Sequence, residues 1–171
     1  MTHMMKKCSI VLIAVMFSAF AAAEGKVAVF NMQAAIVNTD MAKKRLQALD
    51  ASPDFAAMKA KFESLRSDLV SMEKDAQTNG MTWTAQQKAE QRKKAEYKSA
   101  DLKLAAEKLK AERNEVLQQI MQQMAPKAKE ALESVVKSGD YSLVLDSSVA
   151  YWADKGYDIT PEVTKKLNKS K

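Results

Sequence analysis

Seven apolar side chains in the middle of this chain recur at alternating steps of three and four residues, and they constrain its fold more than any other feature. They are Phe55, Met58, Phe62, Leu65, Leu69, Met72 and Ala76. Because an α-helix turns about once every 3.6 residues, this spacing places all seven on one helix face and predicts a coiled-coil-like seam. A polar break follows at 79–84, and a second helical pattern runs to about Lys137. The sequence therefore predicts an antiparallel helical hairpin over 51–117, with its tip near 79–84.

The segments on both sides of the hairpin, 24–50 and 118–171, predict a small body. In the first segment, the β-branched apolar stretch Lys26–Phe30 predicts a strand. A helical pattern begins at Met32 and runs to Leu49 through Ile36, Val37, Met41 and Leu46. The chain is therefore expected to start in the body and then to leave it through a helix.

The second segment returns the chain to the body. Two strands are predicted at 141–145 and 149–152, joined by the turn residues 146–148, and a short helix begins at Thr160. The fold class is therefore α+β and mostly helical, with a small β body and a long helical-hairpin arm. Because so small a body buries a poor fraction of its surface, it is expected to oligomerise.

The first 23 residues have the pattern of a secretory signal peptide. Lys6 and Lys7 provide a positive start, 10–20 is apolar, and Ala21-Ala22-Ala23 offers a cleavage site, so we expect cleavage after Ala23. The only cysteine and the only histidine, Cys8 and His3, lie in this segment. An exported chain without a disulfide is most naturally a periplasmic protein.

The chemistry left to the mature chain argues against an enzyme. Without cysteine or histidine, thiolate nucleophiles, imidazole bases and the usual zinc ligands are excluded. Four glycines leave little room for a phosphate-binding loop. Turn chemistry accounts for the carboxylates of Asp146, Asp154 and Glu162. We therefore predict no catalytic residue, no cofactor and no metal site.

Two sets of arm residues are candidates for binding. The first is apolar and suits an adaptable contact with unfolded polypeptide: Met58, Met72, Met81 and Trp83. The second is basic and suits an anionic partner such as lipopolysaccharide or anionic lipid: Arg92, Lys93, Lys94 and Lys98. Seam packing for the methionines and a solvated helix face for the cations are the simpler alternatives. Nucleic acid is excluded as a partner by export, although the formal net charge of the whole chain is +6.

The outer half of the arm is expected to pack weakly. Near the body the return helix offers large apolar residues at seam spacing, among them Leu102, Leu109 and Ile120. Toward the tip the equivalent positions are small or polar: Ala85, Ala89, Arg92, Ala95 and Ser99. The distal arm is therefore expected to splay easily, with hydrogen exchange faster at 60–100 than near the body.

The two ends of the mature chain carry a more specific pattern. An opening strand runs into Asn-Met over 27–32, and the closing part contains Tyr-Ser-Leu-Val-Leu-Asp at 141–146, Val-Ala-Tyr at 149–151 and Asp-Ile-Thr at 158–160. These segments resemble the Skp/OmpH family of periplasmic chaperones. The resemblance implies a homotrimer whose arms enclose a cavity and hold unfolded outer-membrane proteins there without ATP. It also implies, for some members, lipopolysaccharide binding through basic arm residues.

The sequence thus predicts an ATP-independent periplasmic holdase for unfolded outer-membrane β-barrel proteins. Export, the absence of catalytic chemistry and the two terminal segments together favour this function. The alternatives are an envelope adaptor that binds lipid or lipopolysaccharide, and a structural coiled-coil spacer.

Overall fold

The structure, a computed structural model, describes residues 25–170, so the predicted signal peptide lies outside the described residues. Its elements, in chain order, are β1 (Lys26–Phe30), α1 (Met32–Val37), α2 (Asp40–Asp50), α3 (Pro53–Asn79), α4 (Ala85–Gly139), β2 (Tyr141–Asp146), a 3₁₀ turn (Lys155–Tyr157) and α5 (Thr160–Lys169). The fold is α+β and mostly helical, as expected. The domain boundaries at 51–117 stay a prediction.

The arm consists of α3 and the outer half of α4, which pack against each other as an antiparallel hairpin. Helix α4 has 55 residues and continues through Pro126, so at about 1.5 Å per residue it is roughly 80 Å long. Its first turn is closed by a capping box, in which the Thr84 hydroxyl accepts from the Gln87 amide and the Gln87 side chain accepts from the Thr84 amide. The predicted helical hairpin is confirmed, and residues 80–84 connect its two helices.

Strands β1 and β2 form a parallel pair in which Ala28 lies opposite Val144 and Phe30 opposite Asp146. Parallel neighbours cannot be joined by a tight turn and need a long crossover. Here the arm itself is that crossover, because it leaves after β1 and returns before β2. The body and the arm are therefore one continuous βαβ-like unit.

The predicted strand at 149–152 is wrong, and among the described residues the sheet has two strands. The Asp146 carboxylate accepts hydrogen bonds from the Ser148 hydroxyl at 2.6 Å and the Ser148 amide at 2.8 Å, which turns the chain directly after β2. These two bonds stabilise the ionised carboxylate and hold the pKa of Asp146 below its usual value. Asp158, farther along the chain, makes the bridge to Val29 instead.

The helical pattern predicted from Met32 to Leu49 forms two helices and not one, because the chain is interrupted between α1 and α2. Thr39 is the cause of the break. Its buried hydroxyl accepts from the Ala42 amide at 3.2 Å and donates to the Ile36 carbonyl at 2.7 Å, so it caps α2 and closes α1. A β-branched residue with two local hydrogen bonds overrides the apolar periodicity here.

The core lies in the body, where the inner half of α4 meets α1, α2 and α5. Ile36, Ile120, Ile159 and Val163 are its largest fully buried apolar side chains. Around them α4 contributes a stripe of small and medium residues at helical spacing: Ile120, Met124, Ala128, Ala131 and Val135. The alanines allow the helices to approach closely, so the body is compact although it is small.

Candidate binding surfaces of the arm and body

The seam of the arm has a different register on α4 from the predicted one. The half-buried positions toward the tip are Gln91, Ala95 and Lys98, whereas Arg92 and Ser99 are exposed. Of the distal positions expected to face α3, only Ala95 is half-buried. Small and polar residues carry little periodic signal, and a shift of one residue on a helix turns a side chain by about 100°. The outer seam is nevertheless weakly apolar on its α4 side, as expected.

Lys98 occupies a seam position and pairs with Asp68 of α3 across the arm. The Lys98 Nζ lies 2.6 Å from the Asp68 Oδ2, and the two side chains are 36% and 46% exposed. A single polar residue in a coiled-coil seam specifies register at a cost in stability. Because the pair is partly solvated, its net contribution to stability is about 0–1 kcal/mol. It marks the boundary between the well-packed inner arm and the weak outer arm.

Replacing Lys98 with leucine is expected to stabilise the arm and to slow amide hydrogen exchange over 65–75 and 90–100. Leucine at a half-buried seam position adds apolar contact with the neighbouring seam, worth about 1 kcal/mol, which is at the top of the range of about 0–1 kcal/mol for the solvated ion pair that it replaces. Hydrogen exchange followed by mass spectrometry measures this. The exposed Lys94→Leu substitution is the control and leaves exchange unchanged. Faster exchange in Lys98→Leu would show that the ion pair is the main stabilising contact of the outer arm.

Between this ion pair and the tip, the weak seam leaves an open cleft of about 400 Å³ between α3 and α4. We call it the distal cleft, and its apolar lining is Leu69, Met72, Ala76, Trp83 and Ala95. The cleft exists because the large side chains of α3 face small residues on α4. It brings together two of the apolar candidates, Met72 and Trp83, with one of the basic candidates, Arg92.

The polar lining of the distal cleft contains both signs of charge: Glu73, Lys88, Gln91 and Arg92. Arg92 is itself paired with Glu96 one turn along α4, with 2.9 Å between its Nε and the Glu96 Oε1. Because both partners are well exposed, this pair is weak and can exchange for another carboxylate. The cleft is therefore an apolar slot with a mildly positive edge.

The other apolar candidates lie away from the distal cleft. Met58 lines a smaller groove of about 230 Å³ nearer the body, together with Leu104 and Ala105. Met81 lies at the tip and is 95% exposed. Seam packing accounts for a half-buried methionine such as Met58, but it does not account for Met81. The four apolar candidates therefore occupy three separate places on the arm.

The other basic candidates differ in their surroundings. Lys98 is held by Asp68, and the Lys93 Nζ lies 5.9 Å from the centroid of the Tyr97 ring, within the range of a cation–π contact. Lys94 is exposed, and no carboxylate among residues 25–170 lies within ion-pair distance of it. The four cations therefore do not converge on one point.

The sequence reasoning missed an apolar surface on the body. On one face of the sheet, Val27, Leu143 and Leu145 are exposed. The chain that follows β2 adds Val149, Tyr151 and Trp152, and Tyr151 is fully exposed. We call these six residues the body patch. An exposed apolar cluster of this kind indicates a surface that another molecule covers. Two adjacent aromatic residues directly after a turn were the available signal, but they were assigned to a strand.

The described part of the chain offers no metal or membrane-spanning site. Among residues 25–170, no three His, Cys, Asp or Glu side chains are close enough together to hold a metal ion. In the same range no helix is both long enough and apolar enough to span a bilayer.

Comparison with known proteins assigns the chain to a family. The family model described as outer membrane protein (OmpH-like) matches residues 26–167, which include the arm and both parts of the body. The chain belongs to the OmpH-like family. The family expected from the terminal segments is therefore confirmed. The Skp/OmpH family is a family of chaperones and not of enzymes.

Two further comparisons found proteins that are similar to this chain. A protein from Pseudomonas aeruginosa named Skp-like protein is 27% identical over 155 residues, which cover 91% of each chain. A solved structure from Caulobacter crescentus, described as a candidate OmpH-like outer membrane chaperone, has a TM-score of 0.47 and 17% identity. That match covers 86% of each chain.

Proposed function

We propose that this chain is an ATP-independent periplasmic holdase that binds unfolded outer-membrane β-barrel proteins between its arms and prevents their aggregation. The observation that carries the proposal is that the arm leaves apolar side chains accessible along its length. The chain that forms this arm belongs to a chaperone family. Val70, Met81, Tyr97 and Leu104 are exposed, and the distal cleft adds a separate apolar surface on the outer arm. A surface of this kind offers many separate contacts and no single deep site.

Such a surface suits an unfolded client. The strands of a membrane β-barrel alternate apolar and polar residues, so an unfolded barrel protein presents scattered apolar side chains and no large patch. Methionine and aromatic side chains adapt to varied apolar partners, and lysines attract acidic segments. Binding the unfolded state and not the folded state lowers the free unfolded concentration by mass action. Release then needs no nucleotide, because a folded barrel no longer offers these contacts.

The body patch supports self-association, with a homotrimer as the assembly that the family resemblance implies. The patch is apolar, three of its residues belong to the sheet, and its side chains are exposed among the described residues 25–170. A second copy that pairs with 149–152 would bury Tyr151 and Trp152 and give that extended segment a hydrogen-bonding partner. Several arms would then project from one body and enclose a space for the client.

An adaptor for lipopolysaccharide or anionic lipid is the second candidate. Lys93 and Lys94 support it because both are exposed on the outer arm. Lys98 and Arg92 support it less, because each already has a carboxylate partner. Binding of this kind would depend strongly on salt. It would also fall on combined substitution of Lys93 and Lys94 by alanine, with protection of clients unchanged.

The holdase is tested by diluting a urea-unfolded outer-membrane β-barrel protein into buffer that contains the mature chain and no nucleotide. We expect light scattering to be suppressed, with saturation at about one assembly per client. A folded soluble protein of similar size and charge is the control and should suppress nothing. Unchanged scattering with several clients and at several salt concentrations would contradict the proposal.

A further inference from the structure

We propose that the distal cleft is a side-chain receptor that takes one large apolar side chain of an unfolded polypeptide next to an acidic residue. The inference deepens the proposed holdase and rests on it in naming an unfolded polypeptide as the occupant. It concerns a slot within a single arm, between its own two helices, and so it does not require a second copy. Each arm would then carry its own specific contact in addition to the shared space between arms.

The shape of the cleft supports this occupant. Leu69 and Met72 form one wall and Ala95 the other, so the slot is apolar and open on one side. Trp83 is half-buried at the tip end, and the Lys98–Asp68 pair lies one turn beyond Ala95 at the body end. A volume of about 400 Å³ is at the small end of ligand sites. This volume suits one large side chain and its backbone.

The charges around the cleft favour an acidic residue next to the bound apolar residue in the polypeptide. Lys88 and Arg92 line the edge, while Glu73 lines it with the opposite sign and Glu96 is paired with Arg92. The residues that line the cleft therefore carry one excess positive charge, two cations against Glu73, and Glu96 offsets it only through its weak, exposed pair with Arg92. One carboxylate matches it, whereas a headgroup with several phosphates would meet the repulsion of Glu73 and Glu96. The half-buried amide of Gln91 adds a hydrogen-bonding group for a peptide bond.

The test uses the fluorescence of Trp83 in a Trp152→Phe background, in which Trp83 is the only tryptophan of the mature chain. The probe is a short blocked Gly/Ser peptide with a central Leu-Asp pair. We expect the emission of Trp83 to shift to shorter wavelength with half-saturation at about 1 mM, the weak affinity of a single side-chain contact. The same peptide with Ala-Asp or with Leu-Lys is expected to bind at least several-fold more weakly.

Two substitutions separate the slot from the rest of the arm. Ala95→Leu fills the cleft from α4 and is expected to weaken binding of the Leu-Asp peptide at least tenfold. Ala100→Leu adds the same side chain on the exposed face of the same helix and leaves binding unchanged. Lys88 is exposed, so its replacement does not disturb packing. The Lys88→Glu substitution is expected to reverse the preference, so that the Leu-Lys peptide binds more tightly than the Leu-Asp peptide.

Three results would overturn the proposal. One is unchanged peptide binding in Ala95→Leu, and another is an unchanged preference in Lys88→Glu. The third is a shift of Trp83 emission with anionic phosphatidylglycerol vesicles but not with the Leu-Asp peptide, which would assign the cleft to lipid. The peptide titration contains no client protein. A negative titration therefore does not change whether the unsubstituted chain suppresses light scattering. The receptor and the holdase therefore fail independently.

Discussion

Replacing Ile120 with alanine is expected to lower the free energy of unfolding by about 2–5 kcal/mol, the range for removing a large apolar side chain from a packed core. Ile120 is 0% exposed and lies on α4 where the arm enters the body, in the same core as Ile36 and Met124. The body is small and has few other large buried side chains, so it cannot collapse easily around the cavity. A loss of this size is a large share of the stability of a small domain.

Urea unfolding followed by circular dichroism at 222 nm measures the loss. Leu104→Ala is the control, because it removes apolar side-chain atoms from the same helix at a position that is 51% exposed, and it should cost less than about 1 kcal/mol. Both proteins are compared at one concentration, since self-association contributes to apparent stability. Equal losses for the two variants would show that Ile120 is not part of a packed core.

Replacing Val149 with aspartate is expected to dissociate the assembly and, with it, to abolish suppression of aggregation. Val149 is 71% exposed in the single chain and belongs to the body patch. A carboxylate buried without a partner in an interface between copies costs several kcal/mol, which raises the dissociation constant more than tenfold. Size-exclusion chromatography with multi-angle light scattering should therefore report a mass that falls to that of one chain.

Val70→Asp provides the matched control on the arm. It makes the same substitution at a site that is 61% exposed, but on α3 and away from the body patch. We expect the assembly mass to be unchanged in this variant. A Val149→Asp protein that keeps the mass of the unsubstituted chain would show that the body patch is not the contact between copies. A mass of one chain for the unsubstituted protein would contradict self-association itself.

The hairpin was predictable because its signals are local and repeated. Seven apolar residues at seam spacing define the inner face of α3, and within that helix only Phe55 and Leu65 reach full burial. The ends of the arm helices are also set locally, as the capping box of Thr84 and Gln87 shows. The family followed from short segments at the two ends of the mature chain, and the matched range 26–167 confirms it.

The errors arose where one local signal competed with another. The apolar periodicity around Thr39 predicts helix on both sides of it. Two hydrogen bonds of the Thr39 hydroxyl nevertheless end α1 and begin α2. The apolar residues at 149–152 have the composition of a strand, but after the turn at Asp146–Ser148 they pair with no strand among residues 25–170. An apolar, β-branched segment forms a strand only beside a strand that can hydrogen-bond to it. Composition does not show whether such a partner is present.

The candidate site was only partly predictable. The sequence indicates Met72 and Trp83 by their apolar side chains and Arg92 by its charge, and the structure places all three around one cleft. The sequence indicates Lys98 by its charge, and the structure shows that this charge is paired with the Asp68 carboxylate. The binding roles of all these residues stay predictions. What the sequence lacked was the register of α4 against α3, which decides which residues share a cleft.

The sequence by itself determined the long helical hairpin, the position of its tip, the strands β1 and β2, and the family. These depend on periodicity, capping and short segments, all of which act between residues close together in the chain. Only the tertiary structure decided the parallel pairing of β1 with β2 across the arm, the Lys98–Asp68 pair, the distal cleft and the exposure of the body patch. These depend on contacts between residues far apart in the chain, and small or polar side chains at such contacts leave almost no periodic signal.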